Sequence, residues 1–395
     1  MSESKRVYHR FIRELRSAKP LAVLLLCVGL SFLRSSFADA SEAASPSLEQ
    51  INSVLDAMSL EEKIAQLFLI QPEALVNVDG VTEAGEITRS ALNEFPIGGF
   101  IYMEQNLLEE SQVKTMISNV QTYSMERIGL PLFISVDEEG GTVARISGRN
   151  FDVPLIGDMA QIGSSGDPKL AYETGRTIGS YLSGLGFNLD FAPVADVLDT
   201  PDHQLLLHRS FGSDPTLVAS MATELLKGLR DEGIYGTLKH FPGHGAATED
   251  THLGYSGSKK TLEELKSCDL IPFMEGIDAG ADFIMVGHLS FPNITGDELP
   301  SSLSGRIVTD LLRDELGYDG IVITDALNMG AISQNYTSAQ AAVMALEAGA
   351  DLILMPSNFH EAYDGVLEAV RQQRITESRI DESLRRILKI KISLP

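Results

Sequence analysis

Fourteen residues, "KHFPGHGAATEDTH" (239–252), hold three of the chain's eight histidines, two acids and a lysine, and are broken by Pro242, Gly243 and Gly245. Titratable groups gathered where Pro and Gly oppose both helix and strand suit three kinds of chemistry. The first is metal binding. His240 and His244 stand four apart, the spacing of two ligands on a helix. Pro242 and Gly243 spoil that helix, and no Glu lies between the histidines to act as a base, so no metal is expected. The second is proton transfer. Asp250 stands two residues before His252, and a carboxylate on one ring nitrogen fixes the tautomer and raises the basicity of the other. Such a pair can give a proton and later take one back. The third is a polar turn, with Asp250 as a cap and His252 in water. Spacing alone leaves the last two open. Neither accounts for Lys239, which ends an apolar run and must find an anion or a cluster of hydroxyls.

Positioning such groups falls to the apolar runs, and there are eight: "IAQLFLI" (64–70), "IGGFIYM" (97–103), "LPLFISVD" (130–137), "FNLDFAPV" (187–194), "YGTLKHF" (235–241), "DFIMVGHL" (282–289), "GIVITDAL" (320–327) and "ADLILMP" (350–356). Continuous rather than alternating apolarity marks strands buried on both faces, as in a parallel sheet. Amphipathic stretches such as 169–186 and 215–233 lie between them and end in Gly, as helices often do. Eight strand–helix units predict an α/β fold, a single-domain (β/α)8 barrel. A doubly wound sheet is the alternative, but no Gly-rich fingerprint follows the first run. Asp137, Asp196, Lys239, His240, His288 and Asp325 all fall at or just beyond the C-terminal ends of runs. Barrel enzymes build their sites on that face.

Composition narrows the classes further. The formal net charge is −24 and hydrophobic residues make up 44%. That supports a sizeable core and argues against nucleic acid, which needs clustered Lys and Arg. Residues 1–40 differ from the rest. Lys5, Arg6, Arg10, Arg13, Arg16 and Lys19 precede "LAVLLLCVGLSFL" (21–33), and Ala38 and Ala40 stand as in a small-residue cleavage site. This is the layout of a signal peptide, with an uncleaved anchor as the alternative. The run is shorter than the roughly 20 residues of a spanning helix. Cys27 follows Leu26, not the small residue that lipoprotein processing favours. The expectation is an exported protein, periplasmic or extracellular, whose 41–50 linker leads into a domain over 48–395. Only Cys268 remains beyond the leader, so stability must come from the core.

Five motifs then carry a resemblance. "VDEEGGTVAR" (136–145), "FAPVADV" (191–197), "HRSFGSDP" (208–215), "KHFPGHG" with "DTH" (239–252) and "ITDALNMGAI" (323–332) resemble, in order, the bacterial β-N-acetylglucosaminidases of glycoside hydrolase family 3, over about residues 50–395. The resemblance implies a (β/α)8 barrel that releases terminal N-acetylglucosamine, from peptidoglycan fragments, without metal or cofactor, as a monomer. It implies Asp325 as nucleophile and His252 as acid/base oriented by Asp250. It further implies that Asp137, Arg145, Arg209, Lys239 and His240 bind the sugar, with interstrand salt bridges as the plain alternative for the charged ones. A phosphorylase using the same residues and a non-catalytic exported sugar-binding barrel are the competing functions. The β-glucosidase branch, whose acid/base comes from an additional domain, fits less well. Two departures stand out. Ala246 and Ala247 replace polar residues of the related loop, and "DTPDHQLLLHRSFG" (199–212), bordering the leaving-group side, is unlike its counterparts.

Overall fold

The computed structural model describes residues 46–199, 205–245 and 254–394. Eight parallel strands pair in the order β7-β6-β5-β4-β3-β2-β1-β8. They are β1 (Phe68–Ile70), β2 (Gly99–Ile101), β3 (Phe133–Val136), β4 (Leu189–Asp190), β5 (Tyr235–Phe241), β6 (Phe283–Val286), β7 (Ile321–Thr324) and β8 (Ile353–Leu354). A parallel bridge from Ile323 to Leu352 sets β7 against the residue before β8 and closes the ring. Each strand lies within one of the eight apolar runs. Every strand residue is buried except Tyr235 and His240 of β5, which is why the runs are continuous and do not alternate.

A helix follows each strand: α1 (Glu86–Glu94), α2 (Glu110–Ile128), α3 (Pro168–Leu185), α4 (Pro215–Asp231), α5 (Ile271–Asp278), α6 (Arg306–Glu315, wound as a π-helix), α7 (Ser338–Ala348) and α8 (Phe359–Arg371). Helices α3 and α4 start alike. Asp167 and Asp214 accept amide protons from the first turn, and Pro168 and Pro215 occupy the position where no N–H is needed. Ser47 and Gln50 form a reciprocal capping box, so a helix begins at Leu48. Among the described residues, no helix is long and apolar enough to cross a membrane.

The barrel's interior is packed. Phe133 of β3 and Phe283 of β6 meet edge-on across it with ring centroids 5.5 Å apart. Below them, at the N-terminal ends of the strands, the final helix (Glu377–Lys391) inserts its last side chain. Lys391 is fully buried, its Nζ 5.1 Å from the Phe133 ring centroid and 2.7 Å from Gln66 Oε1. Burial pushes this ammonium down to about 7. The unfolded chain keeps its proton to about pH 10.4, so between those values the unfolded state binds more protons and stability rises with pH. Lys391→Met removes the buried charge and leaves Gln66 Oε1 unbonded. The net expectation is a gain of about 2 kcal/mol at pH 6 that shrinks as the pH approaches 10. Urea melts across that range check it. A variant less stable at every pH would show that the Gln66 and Phe133 contacts outweigh desolvation.

Candidate active site

At the opposite end of the barrel, the C-terminal ends of the strands surround a cleft of about 710 Å³, within the usual size of small-molecule sites. Asp137, Arg145, Arg209, Lys239, His240 and Asp325 all line it. Asp250 and His252 lie outside the described residues.

The first three residues of the 239–252 motif end β5, which matches the run 235–241, and the chain turns away at Pro242. The β5–β6 register shifts between Leu238 and Phe241. In an even strand, neighbours face opposite sides. The irregularity re-aims the backbone, and Lys239 and His240 both reach the cleft. Beyond the strand, Gly243 takes φ +129, and a Cβ there would stand 2.6 Å from Asp269 Cβ.

Lys239 is almost wholly buried and finds its anions inside the protein. Its Nζ lies 2.7 Å from Asp137 Oδ1 and 2.5 Å from Glu139 Oε1. The interstrand ion pair and the cleft-lining position therefore coexist in one side chain. Arg209 grips Glu139 with two parallel bonds, Nε and Nη2 each 2.7 Å from a carboxylate oxygen. Burial would raise the Glu139 carboxyl, but Arg209 and Lys239 hold it well below the usual range. Burial would likewise lower the Lys239 ammonium, and Asp137 and Glu139 raise it instead. Glu139 thus joins two cations, Lys239 of β5 and Arg209 of the segment between β4 and α4, and fixes their heads at the cleft wall.

The neighbouring Glu138 faces the other way. It accepts the backbone N–H groups of Arg145, Ile146 and Ser147 at 2.7–3.0 Å and the Tyr181 hydroxyl at 2.8 Å. That anchor holds the loop presenting Arg145. The Arg145 Nε is buried and, among the described residues, has no hydrogen-bond partner. No carboxylate of the described residues pairs with this guanidinium, whereas the Lys239 ammonium and the Arg209 guanidinium are both paired.

His240 owes its orientation to Asp196, which is fully buried beyond β4. Asp196 Oδ2 lies 2.7 Å from His240 Nδ1, and Oδ1 accepts the His244 amide at 2.7 Å. Burial would raise the Asp196 carboxyl, but His240 and His244 hold it below its ordinary value. An ionised Asp196 can only accept, so Nδ1 carries a proton and Nε2 is left for the cleft.

Asp325 is the first residue past β7. Its Oδ1 accepts the Ala326 amide at 2.7 Å. Burial would raise this carboxyl, but His288, His240, the Ala326 amide and Lys239 together hold it low. It is therefore an anion at neutral pH, half-buried in the cleft wall. His288 reinforces the position, with Nε2 3.0 Å from the Ala326 carbonyl oxygen and Nδ1 2.8 Å from Ser302 Oγ.

The apolar wall is made of Met103, Met285, Met329 and Met355, with Leu354. Among the described residues, no aromatic ring other than histidine lines the cleft, and the chain has no Trp. Thioethers here take the place that stacked rings often fill. Among the described residues, no group of three or more His, Cys, Asp or Glu could hold a metal ion.

A closed barrel whose C-terminal face holds an ionised carboxylate beside two fixed cations has the make-up of a glycoside-cleaving enzyme. The chain belongs to glycosyl hydrolase family 3: the model of that family's N-terminal domain matches residues 59–390. It is 32% identical over 329 residues to β-hexosaminidase A of Pseudoalteromonas piscicida, covering 77% of this chain and 54% of that protein. It is 33% identical to β-hexosaminidase LpqI of Mycobacterium tuberculosis, covering 85% of this chain and 83% of that one. A solved family 3 β-N-acetylglucosaminidase from a Paenibacillus species superposes with a TM-score of 0.80 at 40% identity, over 85% of this chain and 62% of the other. The chain thus spans little more than half of the Pseudoalteromonas protein and most of the mycobacterial one.

Proposed function

We propose that the protein is a retaining β-N-acetylhexosaminidase that removes terminal β-linked N-acetylglucosamine, from peptidoglycan fragments, after export directed by residues 1–40. The observation that carries this reading is Asp325, a carboxylate held ionised in the wall of the cleft by His288, His240 and Lys239. Asp137, Lys239, Arg209 and Arg145 offer charged hydrogen-bonding groups to the sugar's hydroxyls, and His240 offers Nε2. In the first step, Asp325 attacks the anomeric carbon. The bond to the leaving oxygen breaks, and that oxygen takes a proton from His252. In the second step, water gives a proton to His252 and attacks the same carbon, releasing Asp325 as a carboxylate. Two inversions give retention. Asp250 orients the imidazole throughout.

Products formed from a β-N-acetylglucosaminide, with and without inorganic phosphate, test the reading. Free N-acetylglucosamine of retained configuration is expected in both cases. N-acetylglucosamine 1-phosphate formed whenever phosphate is present would make the enzyme a phosphorylase. Sugar binding without cleavage would make it a non-catalytic barrel.

A further inference from the structure

The unusual stretch before Arg209 carries a further His–Asp pair. His208 Nδ1 lies 2.9 Å from Asp158 Oδ2, and the His208 carbonyl accepts the Ala160 amide at 3.3 Å. Ring and backbone are thus both tied to one segment, so the imidazole is fixed in place. Asp158 reaches it because residue 141 is glycine: at φ +53, a Cβ there would stand 2.1 Å from Asp158 Oδ1. The His208 side chain is 53% exposed and lines the cleft, as does Leu205. Among the described residues, its Nε2 has no partner.

This placement differs from that of the sugar-binding groups. Lys239, Arg209 and His240 are buried or nearly so, on the inner wall beside Asp325. His208 stands next to Arg209 in the chain but at the open rim, where the part of a substrate beyond the cleaved bond must lie. A rigid imidazole with one free nitrogen suits a hydroxyl group, and the adjoining Leu205 suits the C–H face of a ring. We propose that His208, positioned by Asp158, binds the aglycone, and that the group it recognises is a hydroxyl of a second pyranose ring. This rests on the hexosaminidase reading and adds a residue that recognises the leaving sugar.

The test compares two substrates with the same N-acetylglucosamine, a β-1,4-linked disaccharide and a 4-nitrophenyl glycoside, on wild type, His208→Ala, Asp158→Ala and Asp158→Asn. In His208→Ala, the disaccharide-to-aryl ratio of kcat/KM should fall about tenfold, the worth of one well-made hydrogen bond. Most of the change should lie in KM for the disaccharide. Asp158→Ala should shift the ratio the same way, and Asp158→Asn, which still accepts the Nδ1 proton, should restore part of it. A merely structural role would lower both substrates together. An active wild type whose ratio does not move in His208→Ala would overturn this inference alone. A wild type inactive on both substrates would remove the hexosaminidase reading and this inference with it.

Discussion

Asp325→Asn is expected to lose at least about 10⁴-fold in kcat on any β-N-acetylglucosaminide, as removal of an attacking group does elsewhere. An amide oxygen has no negative charge to place on the anomeric carbon, and its nitrogen is no better. The substitution is otherwise gentle. The side chain keeps its shape, and the oxygen that accepts the Ala326 amide at 2.7 Å can remain in place. What is lost is the anion that His288, His240 and Lys239 favour. A carboxyl held below its ordinary value adds stability above that value, and this is lost as the pH falls. The variant should therefore melt slightly earlier than wild type at neutral pH, with the gap closing in acid. Steady-state rates at pH 7 and thermal melts at pH 7 and at about pH 3, below the ordinary carboxyl value, check both parts. Full activity would remove Asp325 as the nucleophile. Insoluble protein would mark a structural role.

The second large effect belongs to His252. His252→Ala should slow substrates with poor leaving groups about 10²–10⁴-fold, the usual worth of general acid–base help. A nitrophenyl leaving group departs without a proton, so formation of the glycosyl-enzyme from it should survive. The following hydrolysis still lacks a base, and azide, a small nucleophile needing none, should restore turnover in part and yield the glycosyl azide. Asp250→Ala should show the same pattern more mildly, because Asp250 orients and polarises the ring. Equal losses on both kinds of substrate, with no azide effect, would send the proton to another group.

The strands and the face they present were legible because a strand buried on both sides must be continuously apolar. A polar residue ending such a run has only a loop or a cleft to enter. Asp137, Lys239, His240 and Asp325 were found that way. Glu139 was not. It sits in "DEE", where sequence cannot say which acid points inward, and its partners Arg209 and Lys239 lie 70 and 100 residues on. Glu138 and Glu139 are adjacent yet serve opposite sides of the wall, which only the backbone after β3 decides. Asp196 was noted at its strand end, but its tie to His240 depends on β4 and β5 being neighbours. The methionine wall draws one residue from each of four separate strand ends, so no local pattern reveals it. Lys391 reads as an ordinary basic residue in the last turn of a helix, since nothing nearby in sequence reports the barrel floor above it. The His208–Asp158 pair spans 50 residues and depends on a glycine at 141.

The measurement that bears most directly on the double displacement is peptide mass mapping after brief reaction with a C5-fluorinated N-acetylglucosaminyl fluoride. The ring fluorine slows both steps by opposing positive charge at the anomeric carbon. The fluoride leaves without a proton, so the glycosyl-enzyme forms faster than it is hydrolysed. One fluorinated N-acetylglucosaminyl group on the peptide that contains Asp325, lost again as activity returns, is the predicted result. A label on any other residue, or full turnover of natural substrate by protein whose Asp325 stays labelled, would contradict it.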